Sequence, residues 1–559
     1  MLLRLCFFFL LGVVLFGVYW LFIPNTKMEK PEYGQEHPII VAGKIAKGGA
    51  IIEGESIKLP LSVLKDSAGL GNDIWYEEAT GSIVLTNAHQ VLRLKTDLLT
   101  ATLNSKPYEL REAAEVQDGE VYLPVTPLAE LYGLQVDVGE GTGIVTVIPA
   151  GKSVQRAKTA TDAALRSSPT IRATIYEKLP VDAEVRIWGD ADNPEWYSVQ
   201  AQSGTTGYMP KSKLALTDIE QVKQPSSESP FIAWKVMGRK INLTWEGVYA
   251  KKTDVSAIGA LNGVNVVSPT WFELIDGSGK IRSKADKAYV DWAAKRQTQV
   301  WALFSNGFEP QRTTQALATA QSRFNMIQQL VAYAQIYRLQ GINIDFENVE
   351  TSDKDNLVQF VRELTPILHE QGLVVSIDVT PKSNSEMWSA FLDRPALGEI
   401  VDFMMLMAYD EHWASSPKAG SVASLPWTEN SLLRILEEDQ VPPAKLILGM
   451  PLYARVWTEA KQADGMTKVS SKALGMQAVD KLIVERKLKP VFDAQTGQNY
   501  VEYVEDGARK RIWIEDEVSI ASRVELVRKY GLAGVATWQR SFQNNQIWGV
   551  IDQALQQKP

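Results

Sequence analysis

Three polar residues at alternating positions, Asn343, Asp345 and Glu347, occupy the segment GINIDFEN. Successive side chains of a β-strand point to opposite faces, so these three share one face and the apolar residues between them share the other. Two carboxyl groups this close cannot both ionise readily, and the pKa of one of them rises. We therefore predict that Glu347 is protonated near neutral pH and acts as a general acid. The alternative is a structural acidic strand end that caps the following helix.

Eight apolar runs must position these groups, and longer amphipathic segments separate them. The runs are KINLTWE, GVNVVSP, TQVWALF, GINIDFE, LVVSIDV, IVDFMMLMAY, KLILGMPLY and LAGVATW. Apolar strands that alternate with helices indicate a parallel sheet covered on both faces. Eight such units predict an α/β fold, a (β/α)8 TIM barrel, whose active site lies at the carboxyl ends of the strands. Glu347 falls at that end of the fourth strand.

Residues 458–511 are too long for a simple loop. They contain a helical piece, SSKALGMQAVDKLIVERK, and a strand pair, QNYVEYVEDGARKRIWIED. We predict a small α+β insertion between strands seven and eight that forms one wall of the cleft.

The strand-four segment resembles glycoside hydrolase family 18, whose motif is written D-G-x-D-x-D-x-E. The match falls on Gly341, Asp345 and Glu347, and the departures are Gln340 and Asn343. The Asn343 change removes a carboxylate that in the family often shares a proton with Asp345, so we expect a different pH dependence or rate. The form NIDFEN is similar to the branch found in spore-forming bacteria, whose members act on cell wall or spore cortex.

Further segments resemble the family in the same order, namely MAYDEHW, GMPLYARVW and ATWQ, with SPTWFEL on the opposite wall. The resemblance implies that Tyr409 is catalytic together with Glu347 and Asp345. The implied substrate-binding residues are Asn343, Met407, Asp410, Trp538, Trp271, Tyr453 and Arg455. Trp271 and Met407 have an alternative interpretation as core residues, and Asp410 with Arg455 as a structural ion pair.

The resemblance implies substrate-assisted catalysis, in which the acetamido group of the substrate is the nucleophile. Glu347 would protonate the leaving glycosidic oxygen and Asp345 would hold the acetamido N–H. Tyr409 would hydrogen-bond the acetamido oxygen, and Trp538 would stack under the sugar. The expected partner is therefore a polysaccharide that contains N-acetylglucosamine.

Two smaller domains precede the barrel, which we place at residues 231–557. Residues 39–150 resemble the copper amine oxidase N-terminal-like domain, although no copper ligand set is visible. Residues 160–217 resemble a bacterial SH3-like domain, a small β-barrel that often binds peptidoglycan peptides. Residues 25–38 and 218–230 are predicted linkers.

An uncharged apolar run covers residues 5–23 and is long enough to cross a bilayer as a helix. It ends without the small-residue cleavage site of a signal peptide, which is the alternative interpretation. We predict that residues 1–24 form an uncleaved membrane anchor and that the rest of the chain lies outside the cytoplasm, facing the cell wall.

Composition excludes several functions. The formal net charge of −8 argues against nucleic-acid binding. Cys6 is the only cysteine and the four histidines are scattered, so we expect no disulfide, no metal site and no cofactor. We expect a monomer.

Three activities remain open from the sequence. The SH3-like resemblance favours an N-acetylglucosaminidase that cleaves peptidoglycan. A chitinase is the alternative within the same class, and a catalytically silent glycan-binding or spore-envelope protein is the alternative outside it.

Overall fold

The computed structural model describes residues 23–225, 231–234, 238–249, 251–463, 465–544 and 546–556. The chain forms two compact units, residues 1–228 and 229–559, and each is described by itself. The predicted anchor, residues 1–24, lies outside the described residues except for Ile23 and Pro24. Within the described ranges, none of the helices combines the length and apolar character needed to span a bilayer.

The first unit begins with a region of three small sheets and two short helices. Its strands are Pro38–Val41, Lys44–Gly49, Ile51–Glu53, Ser56–Pro60, Ile74–Glu77, Ser82–Thr86, Val91–Lys95, Thr100–Leu103, Lys106–Glu109, Glu115–Gln117, Glu120–Pro124, Gln135–Val138 and Val145–Ile148. The helices, Leu61–Asp66 and Val125–Tyr132, each follow a strand that ends in proline. Their buried leucines pack into one apolar core with the sheets.

The same unit contains a seven-stranded antiparallel sheet. In spatial order its strands are Ile175–Leu179, Ala163–Arg166, Thr206–Pro210, Trp196–Ala201, Glu184–Asp190, Ser153–Thr159 and Leu214–Gln221. The Trp196 strand pairs with the strand that contains Gly207 and Tyr208. In chain order the first strand of this sheet is Ser153–Thr159, which precedes the predicted domain start at residue 160. The predicted domain limits are not tested by this difference.

The second unit contains a closed barrel of eight parallel strands, which confirms the predicted fold class. We label them β1 to β8: Ile241–Glu246, Val266–Pro269, Gln299–Ser305, Gly341–Asp345, Val374–Val379, Phe403–Met407, Leu446–Pro451 and Gly534–Trp538. β8 pairs with both β1 and β7, and β2 pairs with both β1 and β3, which closes the circle. Each of the eight strands coincides with one of the predicted apolar runs.

Helices cover the outside of the barrel. They are Lys287–Ala294, Pro310–Leu317, Ala320–Tyr337, Lys354–Glu370, Arg394–Ile400, Leu425–Leu433, Glu517–Lys529 and Ile547–Gln556. Between β1 and β2 the described residues, 247–249 and 251–265, form a loop, so the expected helix is missing there. A hairpin of Phe272–Leu274 and Ile281–Ser283 extends the sheet beside β3.

Side-chain parity in the barrel follows the alternation read from the sequence. Phe346 points outward, with its ring centroid 5.8 Å from that of Phe360 on helix Lys354–Glu370. The inward positions form a buried core of Ile241, Leu243, Trp245, Val266, Trp301, Leu303, Val374, Phe403, Met405, Ile447 and Ala536. The same parity carries Asn343 and Asp345 inward, because they pair in register with Leu303 and Ser305 of β3.

The predicted insertion between β7 and β8 is a five-stranded sheet with one helix. Its strands are Tyr453–Lys461, Thr467–Gly475, Val491–Asp493, Gln498–Glu505 and Ala508–Trp513. The helix is Met476–Glu485, so the expectation of a helix from Ser470 is wrong over its first six residues. Those residues pair antiparallel with the strand Tyr453–Lys461, whose backbone groups along one edge accept and donate their hydrogen bonds.

Candidate active site

The polar face of β4 lies at the barrel mouth. Asn343 is fully buried, Asp345 is 8% exposed, and Glu347 is half-buried two residues beyond the end of the strand. The structure therefore places the predicted acid where solvent and a substrate can reach it, with Asp345 directly below it in the strand. This is the end of the barrel at which catalytic residues of the fold are found.

Asn343 is held by hydrogen bonds from three different strands. Its Oδ1 accepts from Trp245 Nε1 at 2.9 Å and from Ser268 Oγ at 3.0 Å. Its Nδ2 donates to Asp378 Oδ1 at 2.8 Å. Because both donors converge on the oxygen, the amide can be oriented in only one way. Asn343 is thus a fixed connector beneath the site, and its burial leaves it no surface for the substrate contact that was predicted.

Burial, more than charge repulsion, perturbs the carboxyl groups of the site. Burial raises the pKa of Asp345 to about 7. Burial also raises the pKa of Glu347 well above its ordinary value, with smaller contributions from the charges of Asp345 and Asp410. The expected direction for Glu347 agrees with this result, although the repulsion by Asp345 ranks second as its cause. A protonated Glu347 near neutral pH is the state that a general acid requires.

The backbone of Glu347 is fixed by a side chain from β3. Asn306, fully buried just after that strand, donates from Nδ2 to the Glu347 carbonyl at 2.8 Å. Its Oδ1 accepts from the Glu347 N–H at 3.2 Å. These two bonds fix the strand end from which the acid projects, and such support of a reacting group is what preorganisation needs.

An aromatic group lies beside the carboxyls. The ring centroid of Trp245 is 6.5 Å from that of Tyr409 and 6.0 Å from that of Trp538. Trp245 is buried, whereas Tyr409 and Trp538 are half-buried and present a surface to the mouth. Burial raises the pKa of Tyr409 well above its ordinary value, and the charges of Asp378 and Glu347 add to this effect. The Tyr409 hydroxyl therefore keeps its proton and can donate a hydrogen bond.

Asp410 accepts two hydrogen bonds at the rim. Tyr453 Oη donates to Asp410 Oδ1 at 2.7 Å, and Arg455 Nη2 donates to the same oxygen at 2.9 Å. The Asp410 side chain is 43% exposed and that of Arg455 is 9% exposed. The structure therefore brings these three residues together as a link between the end of β6 and the insertion, which is the ion-pair interpretation left open by the sequence.

Two predicted binding residues lie away from the open surface. Trp271 is 1% exposed and packs edge-on against Tyr289, with ring centroids 5.5 Å apart. It belongs to the packing between the sheet and the helices, so the expectation that it lines a cleft wall is wrong. Met407 is 8% exposed at the end of β6.

The sequence reasoning missed Asp378, which is 2% exposed on β5 and bonded to Asn343. A signal was available, because Ser376 and Asp378 interrupt the apolar run VVSIDV at alternate positions, as Asn343 and Asp345 do in β4. Asn306 and Trp245 were missed as well. Their roles depend on contacts between strands, which no local pattern indicates.

Several aromatic side chains stand exposed on the loops that follow the barrel strands. Phe308 is 45% exposed after β3, Trp388 is 44% exposed after β5, and Trp413 is 53% exposed after β6. The ring centroids of Phe308 and Trp388 are 6.5 Å apart. Aromatic faces of this kind pack against the apolar faces of sugar rings.

Two family models match the chain. The model of glycosyl hydrolases family 18 matches residues 248–543, which contain the site described above. The model of the copper amine oxidase N-terminal domain matches residues 41–147. In the described part of the chain, no three His, Cys, Asp or Glu side chains are grouped so as to hold a metal ion.

Two proteins of Bacillus subtilis and one solved structure are similar to part of this chain. An uncharacterized glycosylase, YvbX, of Bacillus subtilis (strain 168) is 27% identical over 300 residues, which are 52% of this chain and 84% of that protein. A cortical fragment-lytic enzyme of the same organism is 26% identical over 227 residues, or 40% of this chain and only 51% of that enzyme. The crystal structure of a chitinase from Chromobacterium violaceum ATCC 12472 has 25% identity and a TM-score of 0.50, covering 57% of this chain and 100% of that one.

Proposed function

This chain belongs to glycosyl hydrolases family 18, and from that premise we propose that it is a retaining N-acetylglucosaminidase of bacterial cell-wall peptidoglycan. It would cleave the β-1,4 bonds next to N-acetylglucosamine. The observation that carries the proposal is the half-buried Glu347 at the mouth of the barrel, whose pKa is raised by burial and by Asp345. A carboxylic acid that keeps its proton near neutral pH can protonate a leaving sugar oxygen.

The proposed reaction uses the substrate's own acetamido group. Its oxygen attacks the anomeric carbon, the bond from that carbon to the leaving oxygen breaks, and the leaving oxygen takes the proton of Glu347. An oxazolinium ion results. Water then attacks the anomeric carbon and gives a proton back to Glu347, while the ring bond to the acetamido oxygen breaks, so the configuration is retained.

The remaining site residues have proposed roles in this scheme. Asp345 accepts a hydrogen bond from the acetamido N–H and balances the positive charge of the intermediate. Tyr409, which keeps its proton, donates to the acetamido oxygen and directs it at the anomeric carbon. Trp538 offers its half-buried ring as a floor for the sugar. These groups act through fixed geometry and electrostatics.

Peptidoglycan is proposed as the substrate over chitin on two grounds. A relative over the barrel is a cortical fragment-lytic enzyme, although the chain spans only about half of its length. The sequence of residues 160–217 resembles the SH3-like domains that often bind peptidoglycan peptides. Chitin hydrolysis remains the second candidate, since the barrel also resembles a chitinase at 25% identity. The presence of Glu347 argues against a silent glycan-binding protein.

We also propose that the chain acts outside the cytoplasm, held to the membrane by the apolar run at residues 5–23. A wall polymer would be within reach of a barrel tethered in this way. Fractionation of cells, followed by alkaline carbonate extraction of the membranes, tests this localisation. Release of the intact chain by carbonate would overturn it.

The test of the function compares the purified full-length chain with Glu347→Gln and with Glu350→Gln, an exposed glutamate three residues further on. Each protein is incubated with purified peptidoglycan and with N-acetylglucosamine oligomers. New reducing ends are identified by mass spectrometry. We expect N-acetylglucosamine at the new reducing end, a loss of about 10²–10⁴-fold in Glu347→Gln, and no comparable loss in Glu350→Gln. Cleavage of the oligomers alone would favour the chitinase.

A further inference from the structure

Asp378 is a buried carboxyl group that the mechanism above does not use. It lies on β5, one strand away from the catalytic face of β4, and it is 2% exposed. Asn343 Nδ2 donates to its Oδ1 at 2.8 Å. Because Trp245 and Ser268 both donate to the oxygen of Asn343, the amide of Asn343 must present its N–H group to Asp378. The carboxyl is thus held in one place by a directed chain of hydrogen bonds.

The groups near Asp378 come from β1, β4 and β6. Asp345 lies on β4 and Glu347 just beyond its end, Tyr409 follows β6, and the indole of Trp245 belongs to β1. Burial raises the pKa of Asp378 well above its ordinary value, and the charges of Asp345 and Glu347 raise it further. The hydrogen bond from Asn343 and the nearby indole N–H of Trp245 lower this pKa, but they do not outweigh burial and the two charges.

Such a cluster cannot carry three negative charges near neutral pH, because buried like charges in proximity exclude one another. Protons must therefore be distributed over Asp345, Glu347 and Asp378, and they titrate as one system. Asp345 has a buried Oδ1 without a hydrogen-bond partner, so its ionised form is poorly compensated by the protein itself. The proposed reaction needs Asp345 ionised while Glu347 holds a proton.

We propose that Asp378 is a positioning residue that shares one proton with Asp345 and thereby sets when Asp345 is ionised beside the protonated Glu347. The two carboxyls are neighbours in the register of the sheet, because Ile344 of β4 pairs with Ile377 of β5. The second carboxyl thus comes from the adjacent strand and not from position 343. The proton moves from Asp345 to Asp378 as the acetamido N–H approaches, and it returns when the product leaves. This inference rests on the roles proposed for Glu347 and Asp345.

The first test is Asp378→Asn, measured as the pH profile of kcat/KM on a fluorogenic N-acetylglucosamine oligomer. The new amide can still accept from Asn343 through its oxygen, so the packing is kept while the charge is lost. Because Asp345 can then no longer pass its proton to Asp378, it ionises only at higher pH, and the acid limb should move to higher pH by about one unit or more. The rate at pH 7 should fall by about tenfold or more.

The second variant exchanges the two side chains, Asn343→Asp with Asp378→Asn. It restores one carboxyl at the same hydrogen bond, so the acid limb should return toward the wild-type position. Ser376→Ala, on the same strand as Asp378, is the control for changes in packing and should leave both limbs in place. Thermal unfolding of each variant checks the fold.

The outcomes separate this inference from the proposed function. Full activity of Glu347→Gln, or no cleavage by the wild type, would overturn the function and this inference with it. An active wild type and inactive Glu347→Gln, with a pH profile of Asp378→Asn that coincides with the wild type, would overturn only the role of Asp378. The role of Asp378 would also be overturned if the double variant, Asn343→Asp with Asp378→Asn, had the same pH profile as Asp378→Asn alone. If Asp378→Asn does not fold, Asp378→Glu, which keeps the charge, must retain the wild-type limbs.

Discussion

Replacing Asp345 with asparagine should make the stability of the catalytic unit less dependent on pH between about pH 4 and pH 7. Burial raises the pKa of this carboxyl from 3.8 to about 7. Above pH 3.8 the unfolded chain loses the proton while the folded chain keeps it, so unfolding releases a proton and the free energy of unfolding falls with pH. The fall ends near pH 7, where the folded carboxyl ionises too.

The size of this effect follows from the same two values. A carboxyl whose pKa rises from 3.8 to about 7 on folding lowers the free energy of unfolding by about 4 kcal/mol above pH 7. Because Asp345 titrates together with Glu347 and Asp378, we expect Asp345→Asn to recover about 2–4 kcal/mol at pH 8 relative to pH 4. Any constant cost of burying the new amide cancels in this difference between the two pH values.

Denaturant unfolding, followed by tryptophan fluorescence between pH 4 and pH 8, measures the difference. The rich tryptophan content of the barrel core reports on this unit. Asp291→Asn, an exposed aspartate on helix Lys287–Ala294, controls for the loss of one charge. If Asp345→Asn and the wild type lose stability in parallel over this range, then burial does not raise the pKa of Asp345. The explanation of the site's protonation by burial would then be wrong.

Three further predictions concern catalysis and binding. Asn343→Asp, without a second change, places two carboxyls in contact with each other at the 2.8 Å bond to Asp378; the pH profile should move to higher pH, and an unchanged profile would contradict this. Trp388→Ala should raise KM for long oligomers by about tenfold while leaving kcat nearly constant, because the ring lies exposed beside Phe308; a fall in kcat alone would speak against a binding role. A thiazoline analogue of N-acetylglucosamine should inhibit competitively in steady-state assays, and hydrolysis of a glucan without acetamido groups at a similar rate would refute substrate assistance.

The order of the barrel strands and the position of the candidate acid were accessible from the sequence. Apolar runs of strand length define all eight strands, because a strand buried on both faces must be apolar along its length. Alternation within GINIDFEN then assigned Asn343, Asp345 and Glu347 to the inner face. Strand length and side-chain alternation are local properties, so a short stretch of sequence is sufficient to predict them.

Only the tertiary structure decided which residues meet across strands. Asp378 lies 35 positions from Asn343 in the chain, and their hydrogen bond exists because β4 and β5 pair in a particular register. Trp271 is a core residue, although its sequence context did not distinguish the wall of the cleft from the interior of the protein. Burial fixes the pKa values of the carboxyls, and burial is a property of the closed barrel as a whole, since desolvation depends on every element that excludes water from the site.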